Sequence, residues 1–254
     1  MIREAQAEVR QGRGRTDPAT ALWSPGRVAV GLLLGAWAGL FWFLLASGRW
    51  SLYLSARTSW LVPVGAVLLS FAALGRLASA RVRHTPEPLG ARRTWTVGLV
   101  ALPVVVILAL PPAALTSYAV GRRSDFVGAG VSSSTENIAT GSLTLMDVAA
   151  AQTSTAGLDA LEARAGERVS FDGFVTRFAD TPADEILLTR FIVTCCVADA
   201  TIAQVRVVGV PAGRFREDQW VRVTGTIYPL GREVLVDAGD VVGITRPASP
   251  YLTP

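Results

Sequence analysis

Three long apolar runs constrain this chain more than any other feature. Residues 28–47, VAVGLLLGAWAGLFWFLLAS, carry no charge and are long enough to cross a hydrocarbon core of about 30 Å. Residues 60–77, WLVPVGAVLLSFAALGRL, form a second run, with Pro63 near its start where a proline is tolerated best. Residues 95–114, WTVGLVALPVVVILALPPAA, form a third, in which Pro103 is expected to kink a helix and Pro111-Pro112 to end it. A single such run can be the core helix of a soluble protein. Three in succession, each flanked by arginines, read instead as three transmembrane helices. The first run exceeds the h-region of a signal peptide, and a long polar segment precedes it, so it reads as a retained span. Only 17% of the residues are charged, against about 25% in soluble domains, which agrees with a multi-pass membrane protein.

The basic residues orient the spans. The chain has no lysine, and residues 1–27 form an Arg-rich polar tail that reads as disordered. The first connection holds Arg49 and Arg57, whereas Arg76, Arg81, Arg83, Arg92 and Arg93 surround the second. The positive-inside rule then predicts a cytoplasmic N-terminus and an extracytoplasmic C-terminal domain. Arginines beside apolar spans account for the positive net charge of the chain, so it is no sign of nucleic acid.

Beyond the spans the character changes. Residues 121–142 are rich in Gly, Ser and Thr and read as a linker. Residues 143–247 read as a separate extracytoplasmic domain with a short leading helix, in which Leu158 and Leu161 share a face and Gly166 suits a C-terminal cap. The period then shifts to two. Residues 168–178, 185–196, 202–210, 220–230 and 233–244 read as five strands rich in Val, Ile, Phe and Thr. Five short strands suit a small all-β OB-like barrel, with a two-sheet sandwich as the alternative. In Phe171-Asp172-Gly173-Phe174 the aromatics read as barrel core, and the glycine as a bulge or a tight bend.

Chemistry is concentrated in RFIVTCCVADA, residues 190–200, which holds both cysteines of the chain, Cys195 and Cys196. On a regular strand adjacent side chains point to opposite faces, so one thiol would face the barrel interior. A disulfide between them would be strained, because neighbouring Cα atoms lie about 3.8 Å apart and disulfides prefer roughly 4.4–6.8 Å. Thiolates suit zinc or copper(I), so a thiophilic metal ion is one reading. Asp199 would add an oxygen, and a partner would complete the shell. The single histidine, His84, falls in the predicted cytoplasmic loop. Redox exchange and plain packing are the other readings of the pair. Arg190 is a candidate contact for an anion or a partner. With no histidine on the same side as a base and no triad, the pattern points away from an enzyme.

These residues also carry a resemblance. GERVSFDGFVTRF (166–178), LTRFIVTCCVADA (188–200) and WVRVTGTI (220–227), following an apolar N-terminal region, resemble the DUF1980 (UPF0703) membrane proteins labelled two-component permease subunits. Arg190, Phe191, Cys195, Cys196, Ala198, Asp199 and Ala200 match the family's pattern. The resemblance implies a polytopic protein that works beside a larger permease-like membrane protein, and it supplies no substrate. The expected function is therefore an accessory subunit of a membrane transport complex. Its extracytoplasmic domain would dock the partner or capture substrate. The alternative is a metal-binding or redox module built on the cysteine pair. Neither reading involves nucleic acid: from residue 113 onward acids outnumber arginines, and OB surfaces that track phosphates are basic.

Overall fold

The structure is a computed structural model describing residues 22–82, 90–110, 114–122 and 133–254. Most of the N-terminal tail, His84 and the middle of the expected linker lie outside the described residues. The chain forms two compact units. One holds the described residues up to Phe43 and those from Val62 through the third apolar helix. The other holds Leu44–Leu61 and the described residues after Pro112.

The first unit contains most of α1 (Pro25–Ala46), most of α2 (Leu61–Ala78), and α3 (Ala91–Ala109). Before α1, β1 (Leu22–Trp23) pairs antiparallel with β2 (Arg81–Val82), which follows α2. The start of α1 and the end of α2 therefore meet, as in an antiparallel hairpin. Small residues let the two helices approach closely. A Cβ on Gly65 would lie 2.6 Å from the Phe41 ring, and one on Gly31 would lie 2.7 Å from Leu77. Two tryptophan N–H groups find partners inside the unit: Trp42 donates to Ser70 Oγ at 3.2 Å and Trp37 to the Val100 carbonyl at 3.2 Å. α3 accommodates Pro103 within it and ends at Ala109. Leu110 is already extended, as a residue before proline prefers to be. Two helical segments, Pro25–Ala46 and Ala56–Ala78, are long and apolar enough to cross a membrane, and the apolar part of α3, Thr94–Ala109, is shorter. Leu68, Phe71, Leu74 and Leu99 lie exposed, unlike the side chains of a soluble core helix.

The second unit is built on a closed five-stranded barrel of β3 (Arg168–Thr176), β4 (Ile186–Ile192), β5 (Thr201–Val208), β6 (Trp220–Leu230) and β7 (Glu233–Gly243). The order around it is β3-β4-β5-β7-β6, closed by β6 against β3, and only the β5–β7 pair is parallel. Closure removes the free edges that a two-sheet sandwich would keep, so the sandwich alternative falls away.

The expected linker is folded where it is described. α4 (Ser117–Val120) precedes it, and α5 (Thr135–Thr140) lies within it, with Ile138 buried. The expected leading helix is two helices, α6 (Leu145–Ala151) and α7 (Thr155–Glu162). Ser134, Thr144 and Ser154 cap α5, α6 and α7, each accepting a backbone N–H three residues on. These short helices bury Ile138, Leu145, Val148 and Leu161 in the same core as Phe171, Leu188, Val205 and Val223. Gly166 has a positive φ of 86°, but it sits in the turn after α7, where its N–H reaches the Ile227 carbonyl.

Alternation fails in β4 because both of its faces are covered. Ile186, Leu188 and Ile192 enter the main core. Phe191 joins a second, outer cluster with Phe174, Val120, Val193, Ile202 and Tyr251. Phe174 stacks on Phe191 at 5.8 Å and is 2% exposed, so it belongs to this outer cluster and not to the barrel interior. Gly173 is regularly paired with Val221 and makes no bulge; the register shift lies at Thr224/Gly225. Gly173 is needed for close approach, since a Cβ there would lie 2.8 Å from the Thr189 carbonyl. Gly173→Ala is expected to destabilise the barrel by roughly 1–3 kcal/mol, read from chemical denaturation followed by tryptophan fluorescence. An unchanged midpoint would remove the close-approach argument.

Candidate functional site

The cysteine pair lies outside the strand expected to carry it. β4 ends at Ile192, where a parallel bridge to Leu252 begins, and Val193 N–H donates to the Leu252 carbonyl at 2.9 Å. Residues 194–199 then turn sharply. Asp199 organises the turn: its carboxylate accepts the Thr194 N–H at 3.1 Å and the Cys195 N–H at 2.8 Å. A short 3₁₀ turn, Val197–Asp199, follows, and the Asp199 N–H returns to the Cys196 carbonyl at 3.0 Å. Released from the pleat, the two thiols do not face opposite ways. Their sulfurs lie 3.8 Å apart as free thiols, with Cys195 exposed and Cys196 half-buried.

Electrostatics keep the Cys195 thiol protonated. The interaction with the Asp199 carboxylate, then that with Cys196, pushes the Cys195 thiol up to about 11 from 9.0. Burial alone would raise the Asp199 carboxyl. Hydrogen bonds from the Cys195 thiol and from the backbone of Cys195, Thr194 and Cys196 outweigh it and hold the group below 3.8. Both carboxylate oxygens are engaged by backbone, so Asp199 acts first as a positioning residue. Among the described residues no three His, Cys, Asp or Glu side chains converge as a metal cage.

The outer side of the turn is completed by the connection between α1 and α2. Leu54 forms an antiparallel bridge with Cys196, Ser55 N–H donates to the Cys195 carbonyl at 3.2 Å, and Val197 N–H donates to the Tyr53 carbonyl at 3.0 Å. Side chains add to this seam. Ser55 Oγ, in a residue 1% exposed, donates to the Thr194 carbonyl at 2.8 Å, and Thr58 Oγ1 donates to the Cys195 carbonyl at 2.6 Å. Tyr251 locks the same connection from the other end of the chain. Its buried hydroxyl donates to the Leu52 carbonyl at 3.2 Å and accepts the Leu115 N–H at 3.2 Å. Burial raises the pKa of that phenol and so keeps it a donor.

Arg190 does not join the thiols. It donates to the carbonyls of Pro250 at 3.1 Å and Ser249 at 2.8 Å, and lies over the Trp220 ring at 5.7 Å. Burial lowers its pKa and Asp172 opposes that shift. Of the residues expected at a site, Cys195, Cys196 and Asp199 come together, while Arg190 fastens the C-terminal segment. Sequence reasoning missed Ser55, Thr58 and Tyr251. Their sequence signal is slight: hydroxyl side chains in LYLSARTS, and one aromatic in a tail that ends in prolines.

Residues 135–253 match the family model described as the DUF1980 C-terminal domain. The barrel domain belongs to the DUF1980 family. No curated protein matches the chain. The DUF1980 match takes in the cysteine turn, Arg190 and Tyr251 and leaves out residues 44–61, although those residues complete the turn.

Two outcomes follow for this turn. Iodoacetamide should alkylate Cys195 at pH 8 more slowly than an ordinary exposed thiol, with the rate climbing toward about pH 11. Asp199→Asn removes the negative charge and should raise the pH 8 rate; a rate profile centred near 9.0 in the parent would contradict the assigned environment. Ser55→Ala strips the side-chain partner from the Thr194 carbonyl and should lower stability by roughly 1–2 kcal/mol. Thermal unfolding of the detergent-solubilised chain measures this, and an unchanged transition would mean that the seam carries no stability.

Proposed function

We propose that this DUF1980 protein is an accessory subunit of a membrane transport complex, with an extracytoplasmic OB-like domain that docks a larger permease-like membrane protein or captures its substrate. One observation carries the reading. The connection 44–61 is part of the same compact unit as the barrel, which supports the reading that both lie on one side of the bilayer. The polypeptide leaves that unit at Leu61 and returns to it at Pro112. On that reading the chain crosses an even number of times between those points, and α2 and α3 would supply the crossings. With α1 this makes three spans in lipid, and α3 would extend its short apolar stretch by letting Arg92 reach the interface. The arginine distribution then sets the N-terminus inside and the barrel outside.

Three spans without an intramembrane carboxylate are too few to form an alternating-access pathway alone, which favours a subunit role. The strand order, in which the third and fifth strands pair in parallel, supports the OB-like reading of the barrel. Nucleic acid is a poor fit. Phe174 is covered, and Arg222 and Arg206 are engaged by Asp172 and Glu185 at 2.6 Å and 2.8 Å. A catalytic role is disfavoured as well, because a thiol held near 11 is a weak nucleophile at neutral pH.

The reading is tested in the host membrane. The full chain, extracted in mild detergent, is expected to co-purify with a larger polytopic protein. An impermeant maleimide should label Cys195 in intact spheroplasts. Isolation as a lone chain after crosslinking before extraction would overturn the subunit role, and labelling confined to inverted vesicles would overturn the orientation.

A further inference from the structure

We propose that Cys195 and Cys196 form a two-thiolate landing site for a thiophilic d¹⁰ cation of the Zn²⁺ class, left open for donors from another molecule. The proposal deepens the transport reading by naming a class of substrate, and it rests on that reading only for what accepts the ion.

The geometry points to this in three ways. First, two sulfurs bound to one tetrahedral ion at about 2.3 Å stand about 3.8 Å apart. The Cys195 and Cys196 sulfurs are 3.8 Å apart, so the pair matches that bite without rearrangement. Second, the thiols are accessible although cysteine is among the most buried of residues, and neither fills the barrel core. Third, the backbone presenting them is fixed on both sides. Asp199 holds the Thr194 and Cys195 N–H groups, while Tyr53, Leu54, Ser55 and Thr58 hold the carbonyl and bridge positions of residues 194–197. A turn so restrained is pre-organised for a ligand that asks only for two sulfurs. It also resists the backbone twist that a bond between neighbouring cysteines demands.

Asp199 stands beside the thiols but spends both carboxylate oxygens on the Thr194 and Cys195 N–H groups, and among the described residues no three His, Cys, Asp or Glu side chains are placed to hold a metal, so two coordination positions remain for water or for donors from another protein. A structural zinc site would be closed. A half-filled shell suits an ion that is received and passed on. Binding is balanced by release of two protons: each thiol gives its proton to solvent as its sulfur bonds the cation, with no change of oxidation state.

The test uses the full chain in detergent, reduced with a phosphine, stripped with a chelator and titrated with Zn²⁺. Native mass spectrometry should record one Zn²⁺ per chain beyond that bound by the Cys195→Ser/Cys196→Ser double variant. Each single serine variant should weaken the affinity at least tenfold in chelator competition. In the unaltered chain, Zn²⁺ should slow maleimide labelling of both cysteines at least tenfold, a readout that does not depend on the variants folding. Equal Zn²⁺ uptake by the double variant, unprotected thiols, or oxidation to a vicinal disulfide in place of Zn²⁺ uptake would each overturn the proposal. Loss of the co-purifying partner would leave this titration unaffected, so the two readings fail separately.

Discussion

The backbone seam between residues 53–58 and residues 194–197 is the constraint on which the second unit depends. A sharp turn that leaves a strand exposes carbonyls and N–H groups that the sheet can no longer pair, and burying them unpaired is costly. Here Asp199 takes the inward N–H groups, and the connection between α1 and α2 takes the outward carbonyls. The cysteines can then stand at the surface on a turn whose Thr194 and Cys195 N–H groups and carbonyls all have partners within the protein. One set of hydrogen bonds therefore does two jobs: it fixes the thiols and it fastens the barrel to the segment leading into the apolar helices.

Much of the fold was legible because it rests on periodicity. The five strands lie within a few residues of where alternation puts them, since Val205, Val207, Val221 and Val223 point into the barrel and residues between them do not. The apolar helices follow from composition for the same reason. Prediction failed where tertiary covering replaced the period. VTCC prolongs a β-rich run in sequence, yet β4 stops at Ile192 because the Asp199 carboxylate and the segment around Leu252 compete for the backbone there. Within the expected linker, α5 went unread for a similar reason: Ser134 and Ile138 give it a cap and an anchor that a Ser/Thr-rich composition conceals.

The site was half legible. Adjacent cysteines followed by an aspartate mark themselves. Their shared direction does not follow from spacing, because a strand would have separated them. Ser55, Thr58 and Tyr251 were out of reach of any local pattern, since each acts across more than a hundred residues of sequence. Arg190 shows the opposite error. Its place beside the cysteines in sequence suggested a shared role, but the strand turns its side chain toward Ser249 and Pro250.

The bond from Tyr251 to the Leu52 carbonyl spans 199 positions. During synthesis the α1–α2 connection emerges long before its partners exist, and it must wait with its donors and acceptors in water until the barrel has closed and Tyr251 has been made. Assembly thus has a built-in order: helices first, barrel second, thiol turn last. A chain clipped before Tyr251 would keep every strand of the barrel and lose the bond that ties Leu52 to it.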